Sequence, residues 1–221
     1  LPTAWPPDMR LAVLGSGQVG STLAEALADA GHEVALGSRS ADAEALTAVV
    51  SQRPDIRTGT YADVAESQDV VINATPGLAS VEVISGLSSS LGAAVLWDVA
   101  NPLAFDDGIA VVHPGGRSLA EQLQAAVPGN PVVKALNTVN TSVMVQPADL
   151  GTEHQIFLCG DDTAAKTTVM ALLADLGWQP GQVLDLGDLT AARGAEQYLL
   201  LWLRLMSTLG SPQFNIQVVQ P

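Results

Sequence analysis

The sequence predicts an α/β fold: a doubly wound parallel sheet with helices on both faces and a small α/β C-terminal part packed on it. Three observations carry this expectation. Short apolar runs rich in Val, Leu, Ile and Ala alternate with segments of helical periodicity. The first run, Arg10–Leu14, passes directly into Gly15-Ser16-Gly17-Gln18-Val19-Gly20, a G-x-G-x-x-G turn lying between a strand and a helix. No low-complexity linker or internal repeat separates the alternating units, so one compact body is expected.

In order, Arg10–Leu14 reads as a buried strand. Gln18–Ala30 follows as a helix, with Val19, Leu23, Ala26, Leu27 and Ala30 on one face and Gly31 placed to end it. Glu33–Gly37 is the second strand. Ala41–Ser51 has helical composition and is closed by Pro54. Tyr61–Ser67 forms a short helix before the apolar strand Asp69–Ala74, which stops at Thr75-Pro76-Gly77. Ser80–Leu91 suits a helix, and Ala94–Val99 a strand ending at Asn101-Pro102. Pro131–Leu136 and Gln155–Cys159 continue the sheet. Asp162–Leu176 is a helix with Ala165, Val169, Leu172, Leu173 and Leu176 on one side, and Asp161-Asp162 supplies its N-cap. Leu189–Leu209 is the last long helix, with Tyr198, Leu201, Trp202, Leu205 and Leu209 facing inward.

Composition narrows the class. Across 221 residues the chain is 48% hydrophobic but only 4% aromatic, so its core is aliphatic. A formal charge of −14, with Lys134 and Lys166 as its lysines, argues against nucleic acid or an anionic membrane surface as partner. A single cysteine, Cys159, excludes an internal disulfide and a multi-cysteine zinc cluster, and in an apolar strand it reads as a small buried side chain. His32, His113 and His154 are scattered without metal-ligand spacing, and each reads as ordinary surface. Residues 1–8 look like an extension without the pattern of a signal peptide. The most apolar run, Tyr198–Met206, contains Arg204 and is far short of the ~20 residues of a membrane span. A cytoplasmic protein is expected.

The glycine turn carries the first chemistry. Gly15 permits the tight turn, Gly17 lets backbone approach a pyrophosphate, and Gly20 lets helix pack on strand. The pyrophosphate would lie at the positive end of the Gln18–Ala30 helix, contacted by Gly15–Gly20. This makes residues 9–137 a Rossmann-type dinucleotide-binding domain and leaves 138–221 as the small C-terminal part. At the end of the second strand stands Ser38-Arg39-Ser40, where NAD-selective sites carry a carboxylate. Two hydroxyls and a guanidinium suit a 2′-phosphate, so the expected cofactor is NADP.

Ligands of open α/β sheets bind beyond the carboxyl ends of the strands. That places Ala74, Thr75, Pro76 and Asn101 near the ribose or nicotinamide, although Pro76 and Pro102 also serve as loop punctuation. No acid–base constellation is visible, with Lys134 inside a strand and Lys166 on an apparently exposed helical face. Hydride transfer between two bound cofactors needs stacking and distance rather than a protein acid or base, so no catalytic side chain is expected.

Leu14-Gly-Ser-Gly-Gln-Val-Gly20, Gly37-Ser-Arg39, Val132-Val-Lys-Ala-Leu-Asn-Thr138, Cys159-Gly-Asp-Asp162 and Leu186-Gly-Asp-Leu-Thr-Ala-Ala-Arg193 together resemble the F420-dependent NADP oxidoreductase family. The fold is similar to the NADPH-binding domain of the STEAP metalloreductases. The resemblance runs from about Met9 to Val219. It implies a C-terminal part that closes over the nicotinamide and often supports a homodimer. It also implies that the loop after Val132–Leu136 contacts a deazaflavin. That loop is His-Thr-Ile-Pro in the F420 enzymes and Asn137-Thr138-Val139-Asn140 here, so Thr138 matches and Val139 replaces an isoleucine.

The expected activity is therefore hydride transfer between NADP and a flavin or deazaflavin, with F420, FMN or FAD as second cofactor and Asn137–Val139 at the acceptor. Two other readings fit the residues. One is an NADP-binding regulatory module without turnover. The other is a small hydroxy- or imino-acid dehydrogenase, a class that adds a long helical domain and a catalytic lysine.

Overall fold

The computed structural model describes residues 8–107, 109–112 and 116–220; His113 and residues 1–7 lie outside this set. The first half follows the alternation expected of it: β1 (Arg10–Leu14), α1 (Gln18–Asp29), β2 (Glu33–Ser38), α2 (Glu44–Gln52), β3 (Arg57–Thr60), α3 (Tyr61–Ala65), β4 (Val70–Asn73), α4 (Gly77–Gly86) and β5 (Val95–Asp98). A short antiparallel hairpin, β6 (Leu103–Asp106) and β7 (Ile109–Val112), leads to α5 (Leu119–Ala126) and β8 (Val132–Ala135). The chain closes with α6 (Thr141–Val145), β9 (Ile156–Gly160), α7 (Thr163–Asp175), β10 (Val183–Asp185) and α8 (Ala192–Leu209).

Eight strands form one sheet in the order β10-β9-β8-β5-β4-β1-β2-β3. From β8 to β3 all pairs are parallel, which confirms the Rossmann-type, doubly wound architecture. β9 joins β8 antiparallel, and β10 then runs parallel to β9, so the predicted continuation of the sheet is present with its direction reversed. Successive strand residues feed two cores. Leu11, Val13, Val70, Ile72 and Trp97 pack under α1, α2 and α7, while Ala12, Leu14, Val71 and Leu96 pack under α3, α4 and α5. Burial on both faces explains why these strands read as unbroken apolar runs.

Local signals fix several boundaries. Asp162 caps α7, its side chain accepting from the Ala165 amide at 2.7 Å. α5 starts at a capping box in which Ser118 and Glu121 satisfy each other's backbone amides. α4 begins at Gly77 rather than Ser80, with Pro76 as the N-cap that fixes the entry to the helix.

Six positions differ from expectation. Ala30 is exposed, since α1 has already ended at its C-cap there. Lys166 is buried rather than exposed: its ammonium turns back under β10 to Asp185 at 2.8 Å. His32 is buried, accepting from the Met9 amide and bridging to Asp175 at 3.2 Å. His154 is buried edge-on against Trp178 and bonded to the Pro147 carbonyl. In α8, Leu201 and Leu209 do not face inward but are 55% and 59% exposed, because no described element covers that outer face. Cys159 is buried as expected, and burial pushes its thiol up to about 12, so it is unreactive at neutral pH. Among the described residues no helix is long and apolar enough to cross a membrane, and no cluster of side chains could hold a metal ion.

Candidate active site

The sheet reverses its winding between β1 and β4, and the glycine turn lies beside that reversal. The three glycines have different surroundings. Gly15 adopts φ +120°, and a Cβ there would stand 2.4 Å from the Ala74 carbonyl oxygen. A Cβ on Gly20 would stand 1.7 Å from the Gly15 carbonyl oxygen. Gly15 therefore lets the turn sit on the β4 exit, and Gly20 lets the helix pack on the turn. Gly17 has open space where its Cβ would lie and forms the N-cap of α1 with no side chain satisfying the first amides. Those amides and the helix dipole suit an anion, and the missing side chain gives it room to approach. Ser16 is half-buried, and Gln18 is exposed at the first helical turn.

At the end of β2, Ser38 is half-buried while Arg39 and Ser40 are exposed. Ser40 hydrogen-bonds Asp42, so its hydroxyl is engaged within the loop. Arg39 makes no ion pair among the described residues and lies near Tyr61, whose phenol is raised by burial and partly lowered again by the guanidinium. A free, exposed cation beside the half-buried Ser38 is a competent phosphate receptor.

The other expected residues converge. Ala74, Thr75, Pro76, Asn101, Asn137, Thr138 and Val139 line one cleft of about 310 Å3 beside Val19 of the glycine turn. Three strand ends build it. Thr75 is buried, its hydroxyl donating to Asn73 at 2.6 Å, so that side chain holds the β4 turn rather than reaching into the cleft. Gly77 lets this turn sit on the β5 exit, where a Cβ would meet the Asn101 carbonyl oxygen at 2.1 Å. Asn101 and Asn137 then exchange hydrogen bonds, the Asn101 amide donating to the Asn137 carbonyl at 2.7 Å and the Asn137 amide to Asn101 Oδ1 at 2.9 Å. Leu136, at φ +65°, makes the left-handed step that swings the chain from β8 into this loop.

Sequence reasoning missed two parts of the site. One is its far wall, Leu199 and Trp202 of α8 with Met144 of α6. Their role depends on tertiary packing and carries no local signal. The other is a buried charge cluster behind the cleft: Lys134 of β8 between Asp98 of β5 at 2.7 Å and Glu196 of α8 at 3.0 Å. Lys134 also donates to the carbonyl of Ala100, a residue of the cleft lining. Lysine and aspartate within apolar strands were the available signal, since neither is buried without a partner.

Comparisons with known proteins agree with this architecture. Residues 10–102 match the model of the family described as NADP oxidoreductase, coenzyme F420-dependent. A crystal structure of a candidate F420-dependent NADP-reductase from Arthrobacter sp. FB24 is 42% identical, with a TM-score of 0.90, over 96% of this chain and 100% of that one. The hypothetical protein SMa0349 of Sinorhizobium meliloti superposes with a TM-score of 0.69 at 26% identity, over 96% of each chain. Metalloreductase STEAP3 of Rattus norvegicus is 30% identical over 188 residues, 85% of this chain but 36% of that protein, so the chain spans about a third of the length of this curated relative. Glycine turn, strand order and full-length similarity to the Arthrobacter protein agree: the chain is a member of the F420-dependent NADP oxidoreductase family.

Proposed function

We propose that this chain transfers a hydride between NADP(H) and a flavin or deazaflavin acceptor of the F420 type. The observation that carries the reading is the single cleft uniting the ends of β4, β5 and β8 with Val19 of the glycine turn. It lies where a dinucleotide running from Arg39 across Gly17 would bring its nicotinamide. The cofactor fits the residues present: an uncapped helix N-terminus for the pyrophosphate, Ser38 and Arg39 for the 2′-phosphate, and cleft-lining polar groups for the ring.

Bound NADPH supplies the hydride from its nicotinamide C4, and the protein's own contribution is positional. Ala74, Thr75, Pro76 and Asn101 form the floor under the nicotinamide. Asn137, Thr138 and Val139, on the loop after β8, contact the acceptor. Residues 9–137 act as the dinucleotide-binding domain, and 138–221 close the cleft through Leu199 and Trp202 of α8. The exposed Leu201 and Leu209 of α8 suit a homodimer interface, and the lone buried thiol suits a reducing cytoplasm.

The test is to mix purified protein anaerobically with NADPH and, in turn, F420, FMN and FAD, following nicotinamide absorbance. Decay with at least one acceptor supports the reading. No decay with any of them, alongside tight NADP binding, would favour a binding module without turnover.

A further inference from the structure

Asn140 and Thr141 line the cleft and also a second, polar groove of about 750 Å3 between α1, α6 and residues 211–213, so the two spaces meet there. The cleft has no charged side chain in its lining. Beyond the junction the groove offers neutral hydrogen-bonding groups first, Gln18 and Thr22 of α1 together with Asn140 and Gln146. Two carboxylates follow on the same face of α1: Glu25, two helical turns or about 10 Å from Gln18, and Asp29 one turn further.

No Lys or Arg lines either space, although all nine of the chain's Lys and Arg belong to the described residues. Arg53 reaches the Glu25 carbonyl at 3.3 Å, but its guanidinium is held between Asp29 at 3.0 Å and Asp55 at 2.8 Å. Arg204 is exposed about 200° around α8 from Trp202, on the side away from the cleft. Arg39 is the cation on the dinucleotide's path, and in the hydride-transfer reading a 2′-phosphate occupies it. An anionic tail leaving the cleft along this groove therefore meets two carboxylates and no free counter-charge, in a chain of formal charge −14. A hydroxylated chain meets donors and acceptors and brings no charge to desolvate.

We infer that the protein selects acceptors whose ring carries a neutral polyol chain, such as ribityl, over the same ring carrying phosphate or carboxylate, with Glu25 as the discriminating residue. Asp29 is offset by Arg53, whereas Glu25 makes no ion pair among the described residues and so carries most of the repulsion. This rests on reading the cleft as the hydride-transfer site and deepens it by naming the acceptor class.

Two matched pairs isolate the tail from the ring: riboflavin against FMN, and the deazaflavin ring of F420 with a ribityl chain alone against F420 itself. Anaerobic stopped-flow at saturating NADPH and low ionic strength should give the neutral member of each pair a kcat/KM about threefold or more above the anionic member. The ratio should shrink as salt screens the carboxylates. Glu25→Lys should move it toward the anionic member by about threefold or more. Glu33→Lys is the control. It makes the same charge change at an exposed site on the first residue of β2, at the opposite end of the sheet from the cleft, and should leave the ratio where it is. Anionic members that react as fast as their neutral partners in wild type, or faster, would overturn the inference, as would a ratio that Glu33→Lys shifts as far as Glu25→Lys. Wild type that oxidises NADPH with none of the four would defeat the hydride-transfer reading instead. The charge preference is then read from quenching of flavin fluorescence on the NADP-bound protein: riboflavin held more tightly than FMN supports it, and equal, reversed or absent binding overturns it.

Discussion

Lys134 Nζ lies 2.7 Å from an Asp98 carboxylate oxygen, with both side chains sealed in the core. Asp98 also accepts from Asn73 at 2.8 Å and from the Ala100 amide at 3.2 Å. On the other side Glu196 accepts from Lys134 and from the first amides of α5, Leu119 at 2.8 Å and Ala120 at 3.2 Å. One ammonium therefore ties β5, β8, α5 and α8 together and pins the Ala100 carbonyl in the cleft wall. Burial pulls the lysine pKa down, but Asp98 and Glu196 outweigh it and hold it above its ordinary value.

Removing the ammonium leaves two carboxylates facing each other in the core. Lys134→Met should destabilise the fold by about 3–5 kcal/mol in urea unfolding. Because the folded pKa is raised, the wild-type contribution is complete below about pH 10 and is lost as pH rises through the folded value. A variant as stable as wild type at neutral pH would show that the ammonium does not hold β5, β8 and α8 together.

Acid dependence should expose a second tie between α5 and α8. The Arg193 guanidinium hydrogen-bonds Glu121 and, with the Ser118 contacts, brings its carboxyl down to about 2. A depressed folded pKa stabilises above the unfolded value and is lost as pH falls through the folded one. Wild type should therefore lose stability between about pH 4.5 and 2, and Arg193→Met should lose less over that window. Arg193 is half exposed, so the effect at neutral pH is that of a solvent-screened surface pair. Parallel acid titrations of the two proteins by circular dichroism would contradict the assignment.

What the sequence reveals here is what is local. The strand–turn–helix from Arg10 to Asp29 is written in adjacent residues, so fold, glycine turn and Arg39 position are all legible. β3, Arg-Thr-Gly-Thr, is a polar edge strand whose pairing with β2 is decided by tertiary contact. α5 carries a readable capping box at Ser118 and Glu121, a signal that the apolar pattern alone does not convey. Asp98, Lys134 and Glu196 come from three distant segments, and only the closed sheet brings them together. Lys166 shows the same lesson, as its partner Asp185 belongs to a three-residue strand invisible to periodicity.

Cofactor choice should turn on Arg39. It is exposed and free of carboxylate partners among the described residues, so replacing it perturbs the ligand rather than the fold. Arg39→Glu removes paired charge-assisted hydrogen bonds and adds repulsion, and should weaken NADP binding by about 10–100-fold while changing NAD binding far less. Isothermal titration with both dinucleotides checks this. Equal losses would show that Arg39 does not read the 2′-phosphate.

The glycine turn allows packing and ligand roles to be separated by one methyl group. Gly20→Ala would drive a Cβ to 1.7 Å from the Gly15 carbonyl oxygen, so α1 must move away from β1. Overpacking of this kind costs about 1–3 kcal/mol or more, and both stability and NADP affinity should fall. Gly17→Ala meets nothing within 4 Å and lies at an N-cap with φ −76°, which alanine adopts without strain. Its thermal midpoint should stay close to wild type, while the methyl group stands where the pyrophosphate must approach and weakens NADP about tenfold or more. If Gly17→Ala instead binds NADP as tightly as wild type, the anion does not sit on the N-terminus of α1, and the path from Arg39 to the cleft must run elsewhere.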